Sequence, residues 1–329
     1  DVYGRPDRSR PKSKGYDAGL FIQDEYAINP YLTLTPVLRW SYYNRKPTTD
    51  NNDKFGLASR SDSKVTPGIT LTLSPSKQLS FYASVQSGYR PPFLDELYTS
   101  IEYPEFGMYS VVLPNPDLKP EESINVEIGV NGDYKSLFSD SDRFVFHANV
   151  FRDRVKNLIN AGATGDMDFT DDGDMILYYS IDNVGKALKT GFEASADYYP
   201  GNADFHLSYG YLHAEDKNTG EKIPGLTPMQ ATLRAGYTYK PWNVNGWYRM
   251  RLFKGGKSNL ETAWNSGEYK QLGGFATHTL GLTWKPQIKD WADFTMTFSV
   301  DNITNKKFRY LNGGYGVGRS YRAWLSATF

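Results

Sequence analysis

Thirteen stretches of this 329-residue chain alternate apolar and polar residues, the period of a strand with one apolar face. They lie near residues 15–28, 31–45, 63–73, 78–90, 121–135, 142–157, 184–199, 203–215, 228–239, 244–254, 274–285, 292–304 and 319–329. Ile124, Val126, Ile128 and Val130 share one phase, with Asn125, Glu127 and Gly129 on the other. Phe294, Met296, Phe298 and Val300 oppose Thr295, Thr297, Ser299 and Asp301. The last stretch carries Tyr321, Ala323, Leu325, Ala327 and Phe329 on one phase against Arg322, Trp324, Ser326 and Thr328. No segment shows a useful length of amphipathic helix, so the expected class is all-β.

The connections alternate short and long. Short ones are Asn29-Pro30, residues 74–77, 136–141, 200–202, 240–243 and 286–291, rich in Pro, Gly, Asn and Ser as tight turns require. Long ones are residues 46–62, 91–120, 158–183, 216–227, 255–273 and 305–318. Turns on one rim and long loops on the other predict a transmembrane antiparallel β-barrel, with periplasmic turns and extracellular loops. An edge-to-edge soluble sandwich has no reason to sort its loops in this way. Thirteen is an odd count, whereas a single-chain bacterial barrel closes with an even number. The expectation is therefore a C-terminal portion of a longer barrel, with residues 1–14 a remnant of an extracellular loop and residues 15–329 the barrel part. A complete barrel of twelve or fourteen strands is the alternative.

Composition adjusts this picture in three places. Lysine plus arginine and aspartate plus glutamate number 37 each, which argues against a nucleic-acid partner. Absence of cysteine rules out disulfides and thiolate metal sites. The 25 Tyr, 18 Phe and 7 Trp would supply aromatic girdles at both membrane interfaces. No run of apolar residues is long enough for a membrane-spanning helix, which leaves a barrel untouched.

Residues 78–135 carry a family resemblance. Tyr89-Arg90-Pro91-Pro92 ends one alternating stretch, Asp95-Glu96-Leu97-Tyr98 follows, and Asn115-Pro116-Asp117-Leu118 precedes the next. This resembles the paired boxes of TonB-dependent outer-membrane receptors, in which a Phe-Arg-Ala-Pro element is followed by an Asn-Pro-Asn-Leu element. Phe21-Ile22-Gln23-Asp24-Glu25-Tyr26, Thr190-Gly191-Phe192-Glu193 and Asp301-Asn302-Ile303-Thr304-Asn305-Lys306-Lys307 look like corresponding segments of that family. The resemblance implies the last thirteen strands of a 22-strand barrel, plugged by an N-terminal domain that engages TonB. It implies partners in TonB, outer-membrane lipid and lipopolysaccharide, and a transport function rather than an enzymatic one. Its haem and haemoglobin uptake branch is the nearest in spacing, so the implied cargo is haem, free or drawn from a haem protein. Residues 91–120 would contact it. In that branch a histidine often ligates haem iron from this loop; Tyr103 stands at the corresponding place here, and phenolate is a competent ligand for ferric haem. Tyr109 is the second choice. Tyr98, Phe106, Tyr89, Arg90, Asn115, Pro116, Asp117 and Leu118 are the further candidate contacts, while Tyr98, Tyr103, Phe106, Met108 and Tyr109 could instead simply pack the loop against itself. A ferric siderophore as cargo, and a passive porin, are the alternatives.

Other chemistry is sparser. His147 and His206 lie on polar phases, facing a lumen, while His213 and His278 lie near extracellular strand ends; no pair has metal-motif spacing. Asp166, Asp168, Asp171, Asp172 and Asp174 form an acidic loop whose best EF-hand alignment fails at Tyr179, so a solvated loop is expected. Arg90, Arg39, Arg234, Arg249 and the pair Lys306-Lys307 could attract an anionic cargo or neutralise carboxylates such as Glu127 and Glu193. No nucleophile elbow, phosphate loop or paired-carboxylate hydrolase arrangement appears.

Overall fold

A computed structural model describes residues 11–48, 57–105, 108–183, 185–261, 268–286 and 293–328. In chain order, β1 (Ser13–Gln23) and β2 (Tyr26–Asn29) both pair with β3 (Leu32–Pro47), followed by β4 (Arg60–Ser76) and β5 (Leu79–Arg90). The next connection holds α1 (Leu94–Tyr98), β6 (Ile101–Glu105) and β7 (Met108–Leu113). The hairpin of β8 (Glu121–Lys135) and β9 (Asp142–Lys156) leads into β10 (Ile159–Phe169) and β11 (Met175–Asn183). Then come β12 (Lys186–Pro200), β13 (Ala203–Asp216), β14 (Met229–Tyr239) and β15 (Val244–Phe253). β16 (Gly256–Glu261) and β17 (Tyr269–Leu272) form a small hairpin ahead of β18 (Phe275–Trp284), β19 (Asp293–Asp301) and β20 (Ser320–Thr328).

One antiparallel sheet runs β1-β3-β4-β5-β8-β9-β12-β13-β14-β15-β18-β19-β20. Each alternating stretch read from the sequence corresponds to a strand on this path. The stretch 15–28 is broken at Asp24 and Glu25 into β1 and β2, which continue along the same neighbour. Phe329 and most of the turn 286–291 lie outside the described residues.

Register shows why alternation was readable. Ile69 opposes Val85, Val85 opposes Val126, and Ile128 opposes Val150; Leu282 opposes Phe298, which opposes Ala323. These side chains form a continuous apolar face that the protein leaves uncovered: Ile22 is 70% exposed, Ile128 58% and Leu325 60%. In water each such side chain would forgo about 1.5–3 kcal/mol of burial, so the face requires an apolar medium around it. At the short-turn rim that face ends in aromatic rings. Phe138 meets Tyr198 edge-on at 5.6 Å, and Trp242 meets Tyr239 edge-on at 5.5 Å. Rings of this kind suit a membrane–water boundary.

The short turns are fixed by their own polar groups. The Asp142 carboxylate accepts from the backbone N–H groups of Leu137, Phe138 and Ser139 at 2.8, 2.9 and 3.0 Å. Asn243 takes a left-handed conformation, φ 49°, and donates to the Lys285 carbonyl at 2.8 Å.

The long connections are more ordered than the sequence suggested. β10, β11, β7 and β6 make a second sheet in that order. β7 and β11 come from different connections and pair in parallel, from Met108 opposite Met175 to Leu113 opposite Ser180. The acidic aspartates of residues 158–183 sit on and around the β10–β11 hairpin, and among the described residues no acidic or histidine group is arranged to hold a metal.

Candidate functional site

The mouth of the sheet on its long-loop rim is built from the base upward. Arg90 ends β5 and forks between two carboxylates. Its Nε and Nη2 donate to Glu121 at 2.8 and 2.6 Å, and its Nη1 donates to both Glu96 oxygens at 3.0 and 2.9 Å. The guanidinium also lies over the Phe93 ring, 5.4 Å from its centre. Glu121 accepts a further bond from the Ile159 N–H at 2.9 Å, which ties in the next connection. Partial burial pushes the Glu121 carboxyl up, but Arg90 and the Ile159 N–H outweigh it and hold it below the usual carboxylate range. Glu121 and Glu96 in turn raise the Arg90 guanidinium further above its ordinary value.

Over this base sits a small core of Leu97, Tyr98, Leu118 and Ile159, with Leu57, Leu94 and Ile181 against it. Tyr98 is 1% exposed, and its hydroxyl is shared between the Arg45 and Ala58 carbonyls, both at 3.0 Å. Burial pushes that phenol up to about 12. Asn115 donates to the Ile181 carbonyl at 3.0 Å and accepts from the Asp117 N–H at 3.1 Å. Asn183 completes the clamp: it accepts from the Lys119 N–H and donates to the carbonyls of Lys119 and Asn157 at 2.8–2.9 Å.

The two boxes are thus brought together, as splints of the loop base. Tyr98 and Leu118 are buried, Arg90 is saturated, and Tyr89 reaches Asp62 at 3.2 Å. Pro116 is half-buried and Asp117 is exposed, 3.7 Å from Arg60. Tyr109 is half-buried on β7, opposite Ile176 and Pro104. Tyr103 lies on β6 at the rung with Ser110, at the outer edge of the loop sheet. Phe106 lies outside the described residues.

Further down, the polar face presents a charged wall. Asp301 accepts from Arg249 at 3.2 Å and Thr279 at 3.0 Å, and pairs with Arg322 at 2.9 Å. Asp204 pairs with Arg234 and accepts from Asn245 at 2.9 Å. These arginines are neutralised by Asp204 and Asp301; Glu127 instead bonds Tyr82 and Asn149. His147 and His206 do face this side, bonded to Asn131 and Asp197 at 2.7 and 2.8 Å. Arg39 bonds Ser41 at 3.2 Å, and His278 lies on the apolar face, 2.5 Å from the Tyr248 hydroxyl.

Residues 1–303 match the family described as TonB dependent receptor-like, beta-barrel. The chain belongs to that family. Within this TonB-dependent receptor family it is 24% identical over 294 residues to the heme/hemopexin utilization protein C of Haemophilus influenzae, covering 84% of this chain and 38% of that protein. It is 25% identical over 347 residues to the TonB-dependent heme receptor A of Haemophilus ducreyi, covering 97% and 46%. The FrpB iron transporter of Neisseria meningitidis superposes with a TM-score of 0.66 at 20% identity, over 96% of this chain and 45% of that one. The chain spans under half the length of these relatives, and the outer-membrane barrel of the receptor family accounts for its uncovered apolar face.

Sequence reasoning missed one feature of the mouth. Phe253, Phe275 and Phe308 stack there, with ring centres 4.8 Å apart for Phe253–Phe275 and 4.1 Å for Phe275–Phe308, and Tyr310 meets all three edge-on. Phe253 and Phe275 stand on the polar phase of their strands, two aromatic residues where polar ones were expected.

Proposed function

We propose that the receptor containing this chain takes up haem across the outer membrane, drawing energy from TonB. The observation that carries this reading is that relatives aligned over 84–97% of the chain are named for heme. The aromatic mouth supports it, because a flat hydrophobic macrocycle binds best among rings with a few placed polar groups. On this reading the 91–120 connection contacts the cargo. Tyr103 supplies a phenolate to ferric haem iron, with Tyr109 as the alternative. Tyr98, Tyr89, Arg90, Asn115, Pro116, Asp117 and Leu118 act through the loop's shape, and a haem protein held by the outer loops is the source.

Closure requires partners for the exposed edges of β1 and β20, which among the described residues pair only inward. In lipid each unpaired backbone group costs several kcal/mol. We therefore propose that further strands of the whole receptor, plugged by a separate domain, complete the barrel.

The test is haemin titration of the purified whole receptor. Binding should give a ferric Soret band of tyrosinate type that Tyr103→Phe alters. An unaltered band overturns the Tyr103 assignment, and no binding overturns haem as cargo.

A further inference from the structure

Two arginines of the polar face carry a buried Nε without an acceptor, Arg249 and Arg251, and Arg249 is otherwise paired with Asp301. Arg251 on β15 has no hydrogen-bond or ion-pair partner among the described residues, and its Nε is buried without an acceptor. Arg234 and Arg249, on the same face, are each paired. A buried guanidinium nitrogen without an acceptor is costly, and an anion that enters the site would remove that cost. Arg251 lines a recess of about 420 Å³ with His147, Ser195, Ser208, Gln230, Thr232 and Phe253. Hydroxyls, an amide and an imidazole therefore surround the cation with the donors a carboxylate needs. Glu193 stands on the same recess but makes no ion pair with Arg251.

Position adds a second observation. Phe253 lies two residues above Arg251 on the same phase, so the recess begins where the aromatic stack of Phe308, Phe275 and Phe253 ends. A ligand that slides down these rings meets an unpaired guanidinium at the bottom.

We propose that Arg251 and its recess form a carboxylate-binding station on the inner wall, below the mouth, for an anionic group on a flat apolar body. This rests on the haem reading above for the identity of the cargo. The same chemistry could be met by an acidic side chain from another part of the whole receptor, and the experiment separates the two sources.

The whole receptor and its Arg251→Gln and Arg251→Lys variants would be expressed in cells, with surface level checked by protease accessibility. Three quantities are read: haemin binding to cells, uptake of haemin against its dimethyl ester, and leakage of a large hydrophilic antibiotic. If the cargo carboxylate is the partner, Arg251→Gln lowers haemin uptake by about tenfold or more, as loss of a charge-assisted bond would. Binding at the surface and uptake of the ester stay unchanged, leakage stays low, and Arg251→Lys recovers part of the rate. If the partner is an acidic side chain of the receptor, Arg251→Gln raises leakage and affects haemin and ester alike. Wild-type uptake together with a tight pore in Arg251→Gln overturns the station. Absence of haemin binding in the wild type instead removes the haem reading, and leaves the leakage comparison to decide the site.

Discussion

At the residue scale, side chains whose work is to hold backbone explain much of what the family resemblance rested on. Asn302 is 5% exposed; it donates to the Lys306 and Val317 carbonyls and accepts from the Lys306 N–H. Its neighbour Asp301 ties β15, β18 and β20 together from below. That pair gives a physical reason for the Asp301-Asn302 segment: one side chain neutralises the wall and the next folds the loop that leaves it. Asn302→Ala should free two carbonyls and one N–H at about 1–3 kcal/mol, read as faster proteolysis of residues 303–319 with the sheet intact. Gly281 is as constrained. A Cβ there would stand 2.1 Å from the Trp247 ring, which is flanked by Arg234 and Arg249 at 5.4 and 5.6 Å. Gly281→Val should therefore displace Trp247, changing its fluorescence, while Gly246→Ala, with open space around it, should not.

At the element scale, the barrel strands were legible and the loop sheet was not, for one physical cause. A strand with one face in an apolar medium must alternate, and each partner on the path is its neighbour in sequence or the next strand beyond a loop. β10 reads Ile-Asn-Ala-Gly-Ala-Thr-Gly-Asp-Met-Asp-Phe, with little branched or alternating content, and its sheet depends on the parallel ladder of β11 with β7, which pairs Met175 with Met108, 67 residues earlier. Nothing local announces such pairing. The boxes were legible as motifs, yet the way Arg90 and Tyr98 hold the loop base was not, because Glu121, Arg45 and Ala58 lie far from them along the chain. That base should be acid-sensitive. Glu121 has its folded pKa depressed, so its contribution is present above the unfolded value near 4.5 and is lost as pH falls below it. Arg90 is raised and stays charged throughout this range. Hydrogen exchange in residues 94–118 should accelerate below about pH 4 and not between pH 6 and 8. Asn183→Ala should speed exchange in β7 and β11 together; a change confined to β11 would separate the two loops.

At the scale of the whole molecule, the sheet divides its surroundings by parity. Ile128 is the middle residue of β8 and faces outward, while Glu127 beside it faces Tyr82 and Asn149. Ile128→Arg should cost about 2–4 kcal/mol in refolding of the whole receptor into lipid vesicles, as a charge near the bilayer midplane does. Glu127→Gln should cost much less in the same assay, because its neighbours are polar.

The parallel rungs between β7 and β11 carry a consequence for how the exterior of such a receptor changes over generations. Two segments that an antibody or a phage would meet as separate targets are bound in register to each other. An insertion or deletion that shifts the register of one must be matched in the other or the shared edge is lost. Escape by a change of length should thus arrive in pairs, residues 108–113 with residues 175–180, while Asp171 and Asp172 at the hairpin tip drift alone.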